Sequence, residues 1–306
     1  MVVAGLLWIF LPSRMTPERV GILVDDHSIT TKQFSNGLQS VLAKQGYYKG
    51  VNLDLFIENI PRKWNIDLIQ NQIFRRKTDM LVVMGDNFIF SRGYQELKRP
   101  VIFAFINNPV ADNARKAIER ERFVTGVSYF PPYQRTFELS KKVIGDYHTL
   151  TLLLPQNSKW NDYDRVAAAA ADNHLKIRIV TFSPSELSQI ISNLAGETGA
   201  IYLPADNYFI QEHDGIEDIL QKSSIPVISS NLIFCNVAVL SCYAEPETMG
   251  EIAGEIIVKI FHGADPEFMP VELSTDYKLI INLKQIQKLK IPIHEDVLSY
   301  ANRVIQ

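Results

Sequence analysis

The chain has 306 residues, about twice the usual length of one domain, so the sequence predicts two lobes that can each bury a core. Hydrophobic residues make up 46% and charged residues 21%, values typical of a globular protein that folds along its whole length. The 31 basic and 34 acidic residues are spread along the chain and leave a formal charge of -3, so no basic surface for nucleic acid is indicated.

The first predicted element is an apolar run at residues 2–11. It is too short to span a bilayer, which needs about 20 residues, and it resembles the apolar part of a secretion signal. A buried first strand is the alternative, but residues 12–14 (Pro-Ser-Arg) break the run and a fresh strand begins at Val20. Residues 1–15 are therefore interpreted as a cleaved signal or an anchor of an exported protein, periplasmic or otherwise extracytoplasmic.

Short β-branched runs alternate with longer amphipathic segments along the rest of the chain. Ten strands are predicted, at residues 20–24, 53–57, 80–84, 101–105, 123–127, 150–154, 177–182, 200–203, 226–229 and 239–242. Helices are predicted at 31–45, 66–76, 112–120, 133–145, 163–173, 185–194, 211–221 and 247–261. This alternation predicts an α/β fold of two Rossmann-like lobes, with five parallel strands in each lobe and a hinge between them.

An internal repeat favours two similar lobes. The same three residues recur at the same spacing around one strand of each half, Thr78, Asp86 and Asn87 in the first and Thr198, Asp206 and Asn207 in the second. The next strand of each half begins with Pro-Val-Ile, at 100–102 and 226–228. Ligands of open parallel sheets bind beyond the carboxyl ends of the strands, so both Asp-Asn pairs are expected to line one cleft between the lobes.

The hinge is predicted where the chain crosses between the lobes. Tyr129 and Phe130 precede a stiff Pro-Pro pair and mark the first crossing. The return crossing is expected at 243–246, before the helix at 247–261. The predicted boundaries are 16–128 for the N-terminal lobe and 129–242 for the C-terminal lobe, and each lobe also receives part of 245–306.

Candidate ligand-binding residues are those at the predicted strand ends and crossings. Asp206 is the candidate for an amine-bearing ligand group, and the alternative is a cap on the following helix. Amide side chains suit a neutral polar or zwitterionic ligand, and each could instead hold a turn. Aromatic rings could hold a planar part of the ligand or pack in the core. The other candidates are Asp86, Asn87, Phe88, Asn108, Tyr129, Asn207, Ser230, Asn231 and Tyr243.

Signatures of enzymes are missing from the sequence. It has no nucleophile elbow, phosphate-binding loop, dinucleotide fingerprint or zinc-protease motif. The six histidines are dispersed, without an i, i+4 pair to hold a metal. No catalytic residue, metal or cofactor is therefore expected. Cys235 and Cys242 could pair in an oxidising compartment, although two isolated thiols are the commoner outcome.

Eight segments carry a resemblance to a known family. They are VGILVDDHS, GLQSVLAKQGYYKGVNLDL, TDMLVVMGDN, PVIFAFINNPV, VTGVSYF, GAIYLPADN, IPVISSN and TDYKLIINLKQIQKLKIPIHEDVL. In this order they resemble the ABC-type substrate-binding proteins of the type I periplasmic-binding fold, a family that includes carriers of tryptophan and other aromatic amino acids. Two acidic residues of the family pattern are replaced, one by Asn108 and the other by Ser230 and Asn231.

The resemblance implies a function in transport. It implies the solute-binding component of an ABC importer, which closes its two lobes around a small polar or amino-acid-like ligand. The alternative is a ligand-sensing ectodomain of a signalling receptor, because the same fold serves receptors. The implied partners are the small-molecule ligand and an ABC permease in the membrane, whereas nucleic acid is not expected and the protein is expected to be a monomer.

Overall fold

Two β-sheets with helices packed on them make up the fold. The computed structural model describes residues 16–24, 29–59, 71, 75–85, 98–107, 123–156, 158, 160–206, 209, 212–293 and 295–306. The strands in these ranges are β1 (Glu18–Val24), β2 (Leu53–Asn59), β3 (Met80–Met84), β4 (Val101–Asn107), β5 (Val124–Tyr129), β6 (Thr149–Pro155), β7 (Lys176–Phe182), β8 (Ala200–Leu203), β9 (Val227–Ser229), β10 (Leu240–Ala244), β11 (Glu272–Ser274), β12 (Tyr277–Asn282) and β13 (Arg303–Ile305).

The two sheets repeat one strand order. The first sheet has the order β11-β5-β4-β3-β1-β2, and its strands are all parallel. The second has the order β13-β12-β10-β9-β8-β6-β7, in which β12 runs antiparallel to β10. In the first sheet, β1 to β5 thus occupy the same positions that β6 to β10 occupy in the second sheet. The prediction of two parallel α/β units is confirmed, and the structure adds an antiparallel pair and three C-terminal strands to the ten predicted.

Helices connect and cover the strands. In the described ranges they are α1 (Ile29–Lys44), α2 (Tyr133–Ile144), α3 (Tyr163–Asp172), α4 (Leu187–Leu194), α5 (His213–Gln221), α6 (Pro246–Phe261) and α7 (Leu283–Lys288). Short 3-10 turns lie at Leu232–Phe234, Pro266–Phe268 and Glu295–Tyr300. The helix predicted at 112–120 and most of the one at 66–76 fall outside the described residues.

Glycines let α1 and α6 pack backbone against backbone. A Cβ atom added at Gly37 of α1 would lie 2.0 Å from the carbonyl oxygen of Glu247, which belongs to α6. A Cβ atom at Gly250 of α6 would lie 2.0 Å from the carbonyl oxygen of Phe34. Both distances are far below van der Waals contact, so only glycine permits this approach. α6 follows β10 of the second sheet, yet it packs on α1 and the core of the first sheet.

Each sheet has its own apolar core. One cluster contains the inner residues of the first sheet with α1 and α6, including Phe34, Ile102 and Ile257. Two other clusters lie against the second sheet. One contains Phe137 and Leu152, and the other contains Leu203 and Phe209. Separate cores are the physical basis for two lobes that can move as units.

Three segments link the sheets. The first joins β5 to α2 through Phe130, the second joins β10 to α6, and the third joins β11 to β12. The Tyr277 hydroxyl, just past the third crossing, donates to the Phe130 carbonyl oxygen at 2.5 Å. The Glu245 N–H donates to the Asp276 carbonyl oxygen at 3.0 Å, which ties the second crossing to the third. Sequence reasoning proposed the first two crossings and missed the third, and the predicted lobe boundaries stay a prediction.

Two further features concern the N-terminal run and the cysteines. Residues 1–15 lie outside the described residues. Among the helices that the structure describes, none has the length and apolar character needed to cross a bilayer. Cys235 and Cys242 are both free thiols.

Candidate ligand-binding site

Polar residues gather at one edge of the second sheet. β6, β8 and β9 are parallel neighbours, so their carboxyl ends meet at the same edge. Ser158, Asp206 and Ser230 follow these three strands, and Asn231 comes next. This is the edge at which open α/β sheets bind ligands.

Asp206 is half-buried and is held in place by its neighbours. Its carboxylate accepts a hydrogen bond from the Ser158 hydroxyl. The Ser158 oxygen in turn accepts from the Trp160 backbone N–H at 3.1 Å, which fixes the direction of the hydroxyl. A carboxylate has about four acceptor positions, so Asp206 can accept hydrogen bonds from several groups at once. Ser158 was not among the candidates predicted from sequence.

Ser230 and Asn231 are engaged with the protein itself. The buried Ser230 hydroxyl lies 2.6 Å from the hydroxyl oxygen of Tyr202 on β8. The Asn231 side-chain oxygen accepts from the Ile233 N–H at 3.2 Å and so caps the 3-10 turn at Leu232–Phe234. The Asn231 side chain therefore holds a turn, which is the alternative role that the sequence left open for the amide side chains.

Tyr129 lies where the two lobes join. It ends β5, directly before the first crossing, and is buried in the core of the first sheet. Burial raises the pKa of the Tyr202 hydroxyl well above its usual value, and the nearby Tyr129 adds to this rise. The Tyr202 hydroxyl is therefore protonated at neutral pH and can donate a hydrogen bond.

Tyr243 lies near the end of β10, and one of its neighbours is the residue that follows Asn231. It packs with Leu232 and Ile280 in a small cluster of its own on the second sheet. Burial raises its pKa to about 12, with Glu245 contributing. Trp160, another aromatic residue at a predicted strand end, is buried in the core, where its ring meets Tyr163 edge-on at 4.9 Å between ring centroids.

The remaining candidates lie outside the described residues. They are Asp86, Asn87, Phe88, Asn108 and Asn207. Near the carboxyl end of β4 in the first sheet, a bulge separates Ala104 from Ile106. Phe105 has a φ of 64° there, a left-handed conformation that is costly for an aromatic residue. Bulges are common next to binding sites.

A second polar group that sequence reasoning missed lies at the start of α3. The side chain of Asp162 is 1% exposed, and its carboxylate oxygen is 3.5 Å from the Arg165 guanidinium. The guanidinium carbon lies 4.1 Å from the centroid of the Phe130 ring. Burial raises the pKa of the Tyr133 hydroxyl well above its usual value, with the Tyr202 hydroxyl and the Asp162 carboxylate adding to the rise. In sequence, an Asp and an Arg three residues apart are typical of a capped helix with a surface ion pair.

Two segments that follow strands of the second sheet contact the first lobe. α1 of the first lobe contacts the 3-10 turn at Leu232–Phe234, which follows β9 of the second. Ala205, just past β8, packs against the apolar cluster of the first sheet. These contacts bring the segment before Asp206 against the opposite lobe. In the ranges that the structure describes, no three His, Cys, Asp or Glu side chains are grouped so that they could hold a metal ion.

Comparison with known families identifies the chain. Residues 20–305 match the family described as ABC transporter substrate binding protein. The chain belongs to this family. The resemblance deduced from the sequence motifs is therefore confirmed, and it extends over nearly the whole of the described structure.

Relatives of this substrate-binding family member support the same fold. A tyrosine-binding protein of Clostridioides difficile is 23% identical over 263 residues, which cover 83% of this chain and 75% of that protein. The crystal structure of an ABC domain in complex with L-Trp from Streptococcus pneumonia has a TM-score of 0.76 at 25% identity, covering 94% of this chain and 100% of that one. A conserved domain protein from Vibrio cholerae has a TM-score of 0.81 at 20% identity, with the same coverage.

Proposed function

We propose that this chain is the extracytoplasmic solute-binding component of an ABC importer, and that it closes its two lobes on an amino-acid-like ligand. The observation that carries the proposal is the half-buried carboxylate of Asp206, fixed by Ser158 at the carboxyl edge of one sheet. The neighbouring Ala205 meets the opposite lobe. A ligand bound beside Asp206 would therefore touch both lobes, as a ligand must if it is to favour closure.

The chemistry of the edge favours a ligand with an amino group. A carboxylate makes short, strong hydrogen bonds with an ammonium group. The proposed ligand-binding set is Asp206 and Ser158 with the sequence candidates Asp86, Asn87, Phe88, Asn108, Tyr129, Asn207, Ser230, Asn231 and Tyr243. The amide groups among them suit the polar ends of a zwitterion. Relatives described as a tyrosine-binding protein and as a complex with L-Trp support an amino acid, and an aromatic one in particular.

Calorimetry with L-tyrosine and L-tryptophan tests the proposal, with D-ribose as a sugar control. We expect at least one of the two amino acids to bind and D-ribose not to bind. Asp206→Asn keeps the shape of the side chain but removes its charge, so we expect a dissociation constant about 10- to 100-fold higher. Asp172→Asn is the matched control, because Asp172 is exposed at the far end of α3 and should not affect binding.

The outcomes separate the two parts of the proposal. If neither amino acid binds the wild-type chain, the amino-acid-like ligand is wrong. If an amino acid binds and Asp206→Asn binds it as tightly as the wild type, Asp206 is not the ammonium contact. Import and sensing are separated by stimulation of an ABC permease and its ATPase in proteoliposomes, which only an importer component produces.

A further inference from the structure

Phe130 occupies the first of the three crossings and is held from two sides. The Tyr277 hydroxyl of the third crossing donates to its carbonyl oxygen at 2.5 Å. Its ring lies under the Arg165 guanidinium, at 4.1 Å from the guanidinium carbon to the ring centroid. Arg165 belongs to α3, which packs on the second sheet. The guanidinium therefore connects the body of the second lobe to the linking segment.

The stacked guanidinium is held by a buried acid. Asp162 stands at the N-cap position of α3, where an Asp side chain usually caps the helix, but no such cap bond is formed. Its side chain is 1% exposed, and its carboxylate pairs with Arg165 at 3.5 Å. A buried carboxylate is unfavourable unless it is paired, so removing Arg165 leaves Asp162 with less compensation. The Arg165 side chain is itself 40% exposed, so it can move if the linking segment rotates.

Closure of two lobes about a hinge requires backbone rotation in the residues that cross between them. Rotation at Phe130 would carry its ring away from α3 and would break the guanidinium–ring contact. We interpret the present structure as the closed arrangement, because Ala205 packs against the opposite lobe, and the guanidinium–ring contact exists in it. It therefore adds to the stability of the closed arrangement relative to an open one.

We propose that Arg165, held by Asp162 and stacked on Phe130, is a positioning residue that favours closure of the cleft. This inference rests on the proposed function in one respect, since closure matters for binding only if the ligand lies between the lobes. A cation–π contact of this exposure changes an equilibrium by about two- to fivefold. Removing it should lower the ratio of closed to open molecules by that factor and weaken ligand binding equally.

Distance measurement between spin labels on the two lobes tests this directly. Asn59→Cys places a label on the last residue of β2, and Ser185→Cys places one just beyond the carboxyl end of β7. Both residues are exposed, and these two strands are the farthest from the crossings in each sheet. The native cysteines are replaced by Cys235→Ala and Cys242→Ala. The shorter label distance reports closed molecules and the longer one open molecules. Without ligand, we expect Arg165→Ala to lower the ratio of closed to open molecules about two- to fivefold, so that the longer distance becomes more populated.

Companion variants distinguish positioning from a general structural role. Phe130→Leu removes the ring but stays apolar, so it should give the same shift, and combining it with Arg165→Ala should add nothing. Phe130→Trp keeps an aromatic face and should preserve the wild-type ratio. Arg178→Ala is the matched control, because Arg178 is exposed on β7 and pairs with Glu197 away from the crossings.

The results decide the inference without depending on a ligand. Unchanged distances in Arg165→Ala, or additive effects in the double variant, would overturn it, even if the unfolding midpoint fell. A shift shared by Arg165→Ala and Phe130→Leu, and absent from Arg178→Ala, supports it. Failure of L-tyrosine and L-tryptophan to bind the wild-type chain would count against the proposed function alone, because the distances are measured without ligand.

Discussion

Replacing Gly250 by alanine tests whether the close packing of α1 and α6 is as tight as the structure indicates. The new Cβ atom would lie 2.0 Å from the Phe34 carbonyl oxygen. Carbon and oxygen atoms rarely approach closer than about 3.3 Å, so the helices must separate by roughly 1 Å. The obstructing atom is backbone, so a side-chain rotation cannot relieve the contact.

The expected free-energy change combines two opposing effects. Overpacking of a buried site costs about 1–3 kcal/mol, and we expect the upper part of this range because backbone meets backbone. Alanine regains about 1 kcal/mol of helix propensity over glycine. Gly250→Ala should therefore lower the free energy of unfolding by about 1–2 kcal/mol. Urea denaturation followed by far-UV circular dichroism measures this change.

Gly215→Ala is the matched control. Gly215 lies in α5, and a Cβ atom added there meets no other atom within 4 Å. Only the propensity effect remains, so this variant should be more stable than the wild type by about 0.5–1 kcal/mol. If Gly250→Ala were as stable as Gly215→Ala, the close approach of the two helices would be wrong.

Two further experiments test a buried and a half-buried polar group. Ser230→Ala leaves the buried Tyr202 hydroxyl without its partner at 2.6 Å and should lower the free energy of unfolding in urea by about 1–3 kcal/mol. Adding Tyr202→Phe should restore most of this loss. A large loss in the double variant would contradict the reasoning. Burial raises the pKa of Glu245 above its usual 4.5, although Lys278 opposes the rise. The folded state therefore binds this proton more tightly than the unfolded state does, and the free energy of unfolding falls as the pH increases from about 4.5 through the raised pKa. Glu245→Gln should lack that fall, so its unfolding midpoint should exceed the wild-type midpoint by more at pH 7 than at pH 4, and an equal difference at both pH values would refute the assignment.

The sheet cores could be predicted from the sequence because they are local patterns. Runs such as Met80–Met84 and Ala200–Leu203 are wholly buried, so each strand is uninterrupted by polar residues and stands out from its surroundings. β11 and β13 were missed because each has three residues and neither is fully buried. β11 also pairs with β5, which lies far away in the chain, and no local pattern records such pairing.

The site was predicted less completely because its contacts are not local. Ser158 bonds to Asp206 across 48 positions, and nothing in the sequence near either residue indicates the other. Asp162 and Arg165 are close in sequence, but their importance depends on Phe130, which a different part of the chain supplies. Asp206 could be proposed because a polar residue at the end of a buried parallel strand has a predictable location.

The third crossing has a consequence for how the molecule can be divided. α6 belongs to the core of the first sheet but follows β10 in the chain, and β12 and β13 of the second sheet follow β11 of the first. Neither lobe is a continuous stretch of chain. A fragment ending at Ala244 would lack α6 and would leave β5 and β10 as unpaired sheet edges, which are sites of aggregation. The two halves must therefore be completed together, late in synthesis, by the same C-terminal segment.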